Sequence, residues 1–208
     1  TDNQTTWEAF QAKILLNPPA LIPNDPYEAG INTTRPLAVC GVRYMDAHRV
    51  NYTLKTYPGP PEAYADGAYV THNGTCGACS TLQDLGAYMQ HHNLTAPVRT
   101  CGLDHPFSED ENIKCLLALG FTMPCAQIWY YNTKNSRKDC LVPCLEDLNK
   151  PYNGPPPERA LNSCLQCDED KSGPVFKKVA ARTRRDSGLS SAIYRPPSEV
   201  YPVYHFYY

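Results

Sequence analysis

Ten cysteines, an even number, limit what this chain can fold into more than any other feature of it. They stand at Cys40, Cys76, Cys79, Cys101, Cys115, Cys125, Cys140, Cys144, Cys164 and Cys167. Five Asn-X-Ser/Thr sequons accompany them, at Asn3, Asn32, Asn51, Asn73 and Asn93, and none has proline in the middle. A reducing cytosol makes structural disulfides rare and adds no glycan to a sequon. Paired cysteines alone could hold zinc, and short sequons arise by chance, but together the two signals point to the secretory pathway. The expectation is five disulfides, covalent N-linked glycans and an extracellular location. Connectivity stays open, because ten cysteines allow about 945 pairings.

At 208 residues the chain can bury one sizeable core, with about 70% of its extended surface removed from water. Disulfides therefore supplement a core rather than replace one. Nineteen basic and 21 acidic residues leave a net charge of −2, which builds no field for nucleic acid or an anionic membrane. No apolar run approaches the roughly 18 residues that a membrane helix needs. The chain opens at Thr1 without a charged-then-apolar leader, as expected of a mature secreted chain and equally of a truncated one. Its 20 prolines cluster at Pro18-Pro19, Pro58-Gly-Pro60-Pro61, Pro155-Pro156-Pro157 and Pro196-Pro197, steps that favour extended geometry and break helices. With 15 tyrosines, this composition tilts toward an extracellular structural role.

The pattern predicts an α+β fold: a small antiparallel β section, then a disulfide-stapled helical core, with extended arms at both ends. Residues 1–36 read as an N-terminal arm holding one short helical stretch (Trp7, Phe10, Ile14, Leu15), and residues 37–188 as the disulfide-rich core domain. Residues 189–208 read as a Pro/Tyr-rich C-terminal arm. Strands are expected over Leu37–Tyr44, Val50–Tyr57 and Ala68–His72, the second from its period-two alternation. Ser80 with Gln83, and Ser108 with Glu111, are capping boxes that predict helices to about His91 and Gly120. A third helical stretch covers about 124–132. Cys140 and Cys144 stand four apart, so on a helix both thiols share a side and each would staple a different neighbour, with Pro143 keeping that helix short or irregular. Ser172 and Pro174 predict a last helix ending before Gly188, with Asp168-Glu-Asp170 before its start and Arg182, Arg184 and Arg185 near its end. Both ends are apolar and free of cysteine, so they are expected to dock on this molecule or on a neighbour.

Asn73-Gly-Thr-Cys-Gly-Ala-Cys-Ser80 before a helix resembles the papain-like peptidase signature. The resemblance implies Cys79 as nucleophile, Asn73 at the oxyanion-hole position and His205 as the remaining partner. Ser80 replaces the family's aromatic residue, and no Asn-Ser-Trp segment follows His205. Two structural half-cystines explain the same residues. Cys76-x-x-Cys79 also has thioredoxin-like form, without the tryptophan and proline of that motif. Together with Cys164-x-x-Cys167 it has the shape of a split zinc site, with His72 or His91 as substitute ligands, but 84 residues separate the halves. Asp168, Glu169 and Asp170 lack the remaining oxygen ligands of a calcium loop. His48, His72, His91, His92, His105 and His205 form no spaced metal motif. The expectation is no cofactor and no metal, and the balance leans away from an enzyme.

The segments Val70-Thr-His-Asn-Gly-Thr-Cys-Gly-Ala-Cys-Ser-Thr-Leu-Gln-Asp-Leu and Asn162-Ser-Cys-Leu-Gln-Cys-Asp-Glu-Asp-Lys-Ser-Gly-Pro-Val-Phe-Lys-Lys-Val, running into Arg182-Thr-Arg-Arg, resemble secreted cysteine-rich proteins of algae and other protists. The resemblance implies subunits of glycosylated extracellular filaments and carries no catalytic residue. The function expected is a secreted, N-glycosylated structural protein that self-assembles through residues 1–36 and 189–208. The alternatives are a monomeric extracellular glycan- or protein-binding module and a papain-like hydrolase.

Overall fold

A computed structural model describes residues 3–206, with the backbone alone for 3–6. The Asn3 side chain, and Tyr207 and Tyr208, lie outside the described residues. The fold is α+β. Its helices are α1 (Asn3–Gln11), α2 (Pro60–Ala65), α3 (Leu82–Gln90), α4 (Thr95–Asp104), α5 (Glu109–Ala118), α6 (Met123–Glu146), α7 (Ser163–Lys171) and α8 (Gly173–Ala180). Strands β1 (Ile14–Leu15), β2 (Val39–Tyr44), β3 (Asn51–Tyr57) and β4 (Tyr69–Asn73) form one sheet in the order β1-β3-β2-β4.

The sheet follows from period-two side chains. Cys40, Val42, Tyr52 and Leu54 point to one face and pack on Phe10, Leu82 and Leu85. Val39, Tyr57 and Val70 point to the other, where Ala63 of α2 and Val203 cover them. β2 runs antiparallel to β3 and β4, in line with the antiparallel section expected. Ile14 and Leu15 do not extend α1. They form β1, parallel to β3, with Ile14 N–H donating to Val50 O and Leu16 N–H to Tyr52 O, each at 2.9 Å.

Pro60 and Pro61 open α2 instead of extending the chain, because first-turn positions need no amide donor. The cap of α3 is Thr81, one residue past the expected Ser80, and its side chain accepts from Asp84 N. Ser108 caps α5 through Glu111 N, as predicted. Helix α4 has no counterpart among the predicted elements. Its Pro97 is harmless in the first turn, and Asn93 Oδ1 accepts from Ala96 N at 3.2 Å. The helix expected over 124–132 continues to Glu146, with a kink at Cys140 (φ −125°, ψ 16°). The kink falls where the Pro143 ring would otherwise meet the Asp139 carbonyl.

The disulfides are Cys40–Cys76, Cys79–Cys125, Cys101–Cys115, Cys140–Cys167 and Cys144–Cys164. Cys140 and Cys144 both staple α7, against the expectation of two different neighbours. An i, i+4 pair on one helix meets an i, i+3 pair on an antiparallel neighbour in reverse order, which is the observed pairing. Asp168, Glu169 and Asp170 precede the last helix as expected, but they lie inside a helix of their own, α7. That last helix, α8, stops at Ala180 because Ala181 takes φ +65°, so the arginines fall beyond its end.

Both terminal segments lie on their own chain. Phe10 is fully buried, and Ile22 N–H donates to Gln127 Oε1 at 2.8 Å. The C-terminal segment is held by Ala192 N–H on His92 O (3.2 Å) and Tyr201 N–H on Arg185 O (2.9 Å).

Candidate functional site

The candidate site is a groove that α6 builds against α4 and α7. Trp129, Asn132 and Ser136 recur at helical spacing on the inner face of α6. The Trp129 ring centroid lies 4.5 Å from that of Phe176, 6.0 Å from Phe121 and 6.4 Å from Tyr88. Beyond this aromatic cluster a cavity of about 320 Å³ opens. Gly102 lets α4 approach α6, since a Cβ there would lie 2.4 Å from Thr133 Cγ2. The outer wall is apolar yet open to solvent: Leu141, Leu145 and Leu148 are 49%, 55% and 43% exposed. Leu141 and Leu145, four apart on α6, share one face, and Leu148 follows just past the helix end.

The floor is polar. Ser136 Oγ donates to Asp168 Oδ1, and Asn132 Nδ2 donates to the same oxygen at 3.4 Å. Burial raises the Asp168 carboxyl above the usual range, opposed by hydrogen bonds from Ser136 and Ser172. Tyr27 reaches in from the N-terminal segment, its Oη 2.8 Å from Asn132 Oδ1 and 3.1 Å from Ser172 O. Burial, then the charges of Asp168 and Asp25, push this phenol up and keep it a neutral donor. Arg137 Nη1 is buried beside the groove with no hydrogen-bond partner.

A second cavity of about 170 Å³ shares Trp129, Asn132, Asp168 and Arg195 and extends the groove toward Glu169. Three cations meet that carboxylate: Lys177, Arg185 (2.5 Å) and Arg195 (2.8 Å). Burial alone would raise Glu169, but these partners outweigh it and hold the carboxyl at about 2. Arg185 also pairs with Glu199 at 2.9 Å, so the cluster clamps the C-terminal segment along the groove rim.

Away from the groove lies a sealed polar knot centred on Arg182, which is fully buried. Arg182 Nε donates to Cys79 O (2.8 Å), Nη1 to Thr71 O and Ser187 Oγ, and Nη2 to Thr71 Oγ1 and Ser80 O. Beside it His72 Nδ1 donates to Asn73 O (2.9 Å), so Nε2 must accept from Ser80 Oγ at 2.7 Å. Burial, then the Arg182 charge, drives His72 well below its ordinary pKa and keeps it neutral. His205 Nε2 stands 2.8 Å from Ser187 O, and the same two causes lower it to about 4. Ser80 and His72 make a serine–imidazole contact, but both are fully buried and no substrate reaches them.

The predicted site residues separate accordingly. Cys79 is fully buried and bonded to Cys125, so it presents no thiolate. Its carbonyl, not its sulfur, faces Arg182. The loop that resembles the peptidase signature is pinned shut: Ala78 N–H donates to Val179 O and Cys79 N–H to Ala180 O, and a Cβ at Gly77 would lie 2.7 Å from Val179 O. Cys76, Cys164 and Cys167 are likewise in disulfides, which leaves neither Cys-x-x-Cys pair as a zinc ligand. His91 contributes its carbonyl to Arg184. Among the sequons with described side chains, Asn32 is exposed and Asn51, Asn73 and Asn93 are half-buried. Asn93 Nδ2 donates to Tyr152 Oη at 3.1 Å.

Sequence reasoning missed the groove because the apolar stripe of α6 ends at residue 132. The next turns, Asn132-Thr-Lys-Asn-Ser-Arg, are polar, and no motif marks Ser136 or Arg137. Chemically the groove offers an apolar wall and an acidic floor. No histidine lines it, and the hydroxyl that meets a carboxylate there is Ser136, on Asp168. That combination suits binding of a group with an apolar body and a polar tip.

The class defined by fold and disulfides is a disulfide-stabilised α+β protein of the kind made for oxidising, extracellular compartments. No helix among the described residues is long and apolar enough to cross a membrane. Residues 109–203, from α5 to the C-terminal segment, match a family of unknown function (DUF8771). The match contains the α6–α7 staples, Trp129, Asp168 and Arg182, and stops short of the sheet. Neither the curated proteins nor the solved structures contain a match.

Proposed function

We propose that this chain is a secreted, N-glycosylated structural subunit that self-assembles into an extracellular filament or matrix. The observation that carries the reading is the aromatic tip of the C-terminal segment. Tyr204 and Phe206 stack on each other (6.2 Å, 10°) while 72% and 83% exposed, directly after the buried Val203. Large exposed rings held beside an anchored residue mark an interaction surface rather than a solvated tail. Residues 1–36 spend Phe10, Ile22 and Tyr27 on their own chain, which favours the C-terminal segment over the N-terminal one as the contact made with a neighbour. Asn32 stands exposed where a glycan has room, and glycans there would keep such an assembly soluble at its outer face.

Sedimentation velocity and negative-stain micrographs of the secreted material test the reading. Concentration-dependent, elongated species are expected, together with a mass loss on enzymatic removal of N-glycans. A monomer at every concentration, or a chain carrying no glycan, would count against the corresponding part. The groove favours a second reading, a monomeric glycan- or protein-binding module. Saturable binding of an oligosaccharide or partner protein by a strictly monomeric chain would favour it.

A further inference from the structure

We infer that the groove between α4, α6 and α7 receives the Tyr204–Phe206 tip of a second copy of this chain. The inference rests on the assembly reading above and names the surface that accepts the tip. Complementarity is its first support. The wall of Leu141, Leu145 and Leu148 offers exposed apolar contact, and Tyr204 and Phe206 offer two exposed, mutually stacked rings to cover it.

Placement is the second support. Val203 is buried on the sheet face opposite α3, among Tyr57, Ala63 and Val70, and the tip projects past it. The same segment crosses the groove rim earlier, at Ile193 and Arg195, and is clamped there by Arg195 on Glu169 and by Arg185 on Glu199. To fill its own groove, the tip would have to vacate the Val203 pocket and break the Tyr201–Arg185 hydrogen bond. A neighbour's tip faces no such cost. Tip and groove are different patches of the surface, so the contact is heterologous and repeats from copy to copy unless its rotation closes a ring.

Two variants of the full secreted chain test this by sedimentation velocity. Leu145→Asp places a charge in the groove wall at an exposed position. The double substitution Tyr204→Ser with Phe206→Ser removes the tip. Each variant alone should associate at least tenfold more weakly than the wild type. An equimolar mixture of the two should give a dimer and nothing larger, since one brings the tip and the other the groove. Assembly of Leu145→Asp equal to wild type, or a mixture that stays monomeric, overturns the inference and leaves assembly itself standing. A wild-type chain that never associates overturns both.

A second readout does not depend on the groove variant folding. A synthetic peptide of residues 198–206 is titrated into the chain carrying Trp7→Phe, so that the signal comes from Trp129 alone. A saturable fluorescence change is expected, at least tenfold weaker for the peptide with serine at positions 204 and 206. No change, or equal changes with both peptides, overturns the inference.

Discussion

Arg182 shows how much one buried side chain can organise. Its five N–H bonds end on β4, on the loop before α3 and on Ser187, the first two more than 100 residues from it in sequence. Removing the guanidinium strands several buried acceptors, each at a cost of about 1–3 kcal/mol. Arg182→Met should therefore abolish or sharply reduce secretion and lower Tm. Arg182→Lys should rescue little, because an ammonium offers three donors without the planar fork; wild-type yield from the lysine variant would contradict this role. The neighbouring imidazoles predict an acid sensitivity. His205 is lowered to about 4 from its ordinary 6.5, and His72 is lowered as well. In the unfolded chain both take up protons as pH drops below 6.5, while the folded chain resists. Their contribution is thus complete above pH 6.5 and is lost as pH falls through about 4, on the order of 3 kcal/mol for His205. Denaturant midpoints between pH 7 and 4 should fall steeply, and His205→Gln should flatten the slope. None of this was legible in the sequence. The arginines were read as the end of a helix, and nothing local to residue 182 marks it as buried while Arg184 and Arg185 reach the groove rim.

Among the elements, the α6–α7 hairpin depends most on covalent bonds. Cys140–Cys167 and Cys144–Cys164 close loops with separations of 27 and 20 residues. Chain-entropy arguments assign each loop about 3.5 kcal/mol. Replacing both pairs by serine should cost several kcal/mol, loosen α7 and open the groove. Thermal unfolding, and hydrogen exchange over residues 163–171, would register it, and α7 protection equal to wild type would refute the claim. The hairpin was half legible. Spacing put Cys140 and Cys144 on one side of a helix, but pairing needed the direction in which α7 returns. Caps were read well where one hydroxyl had one role, as at Ser108. Ser80 failed as a cap because His72 and Gly77 N use its hydroxyl, leaving Thr81 for Asp84. β1 was missed because two residues carry no period, and its partner strand lies about 37 residues away.

For the whole molecule, Glu169 joins α7, α8, the 185–187 turn and the C-terminal segment through Lys177, Arg185 and Arg195. Its folded pKa is depressed to about 2, so this clamp is complete above the ordinary 4.5 and is lost as pH falls through about 2. At neutral pH, Glu169→Gln should raise hydrogen exchange over residues 189–203 at least tenfold while the sheet stays protected. Unchanged exchange would mean that Val203 and the backbone bonds hold the segment unaided. Since the tip follows this clamp, the same variant should also weaken association.

The sequence by itself determined the chemistry that is local or counted: disulfide chemistry from ten cysteines, strands from one apolar run and one alternating stretch, helices from hydroxyl caps, and the α+β class. Those signals span a few residues, or none in particular, and survive without knowing what lies opposite. Tertiary structure alone decided which cysteines pair, which arginine is buried, that Cys79 is spent in a disulfide, and that α4, α6 and α7 leave a groove open. Each of these depends on groups brought together from across the chain, and the free energy that selects them exists only once the chain has closed around them.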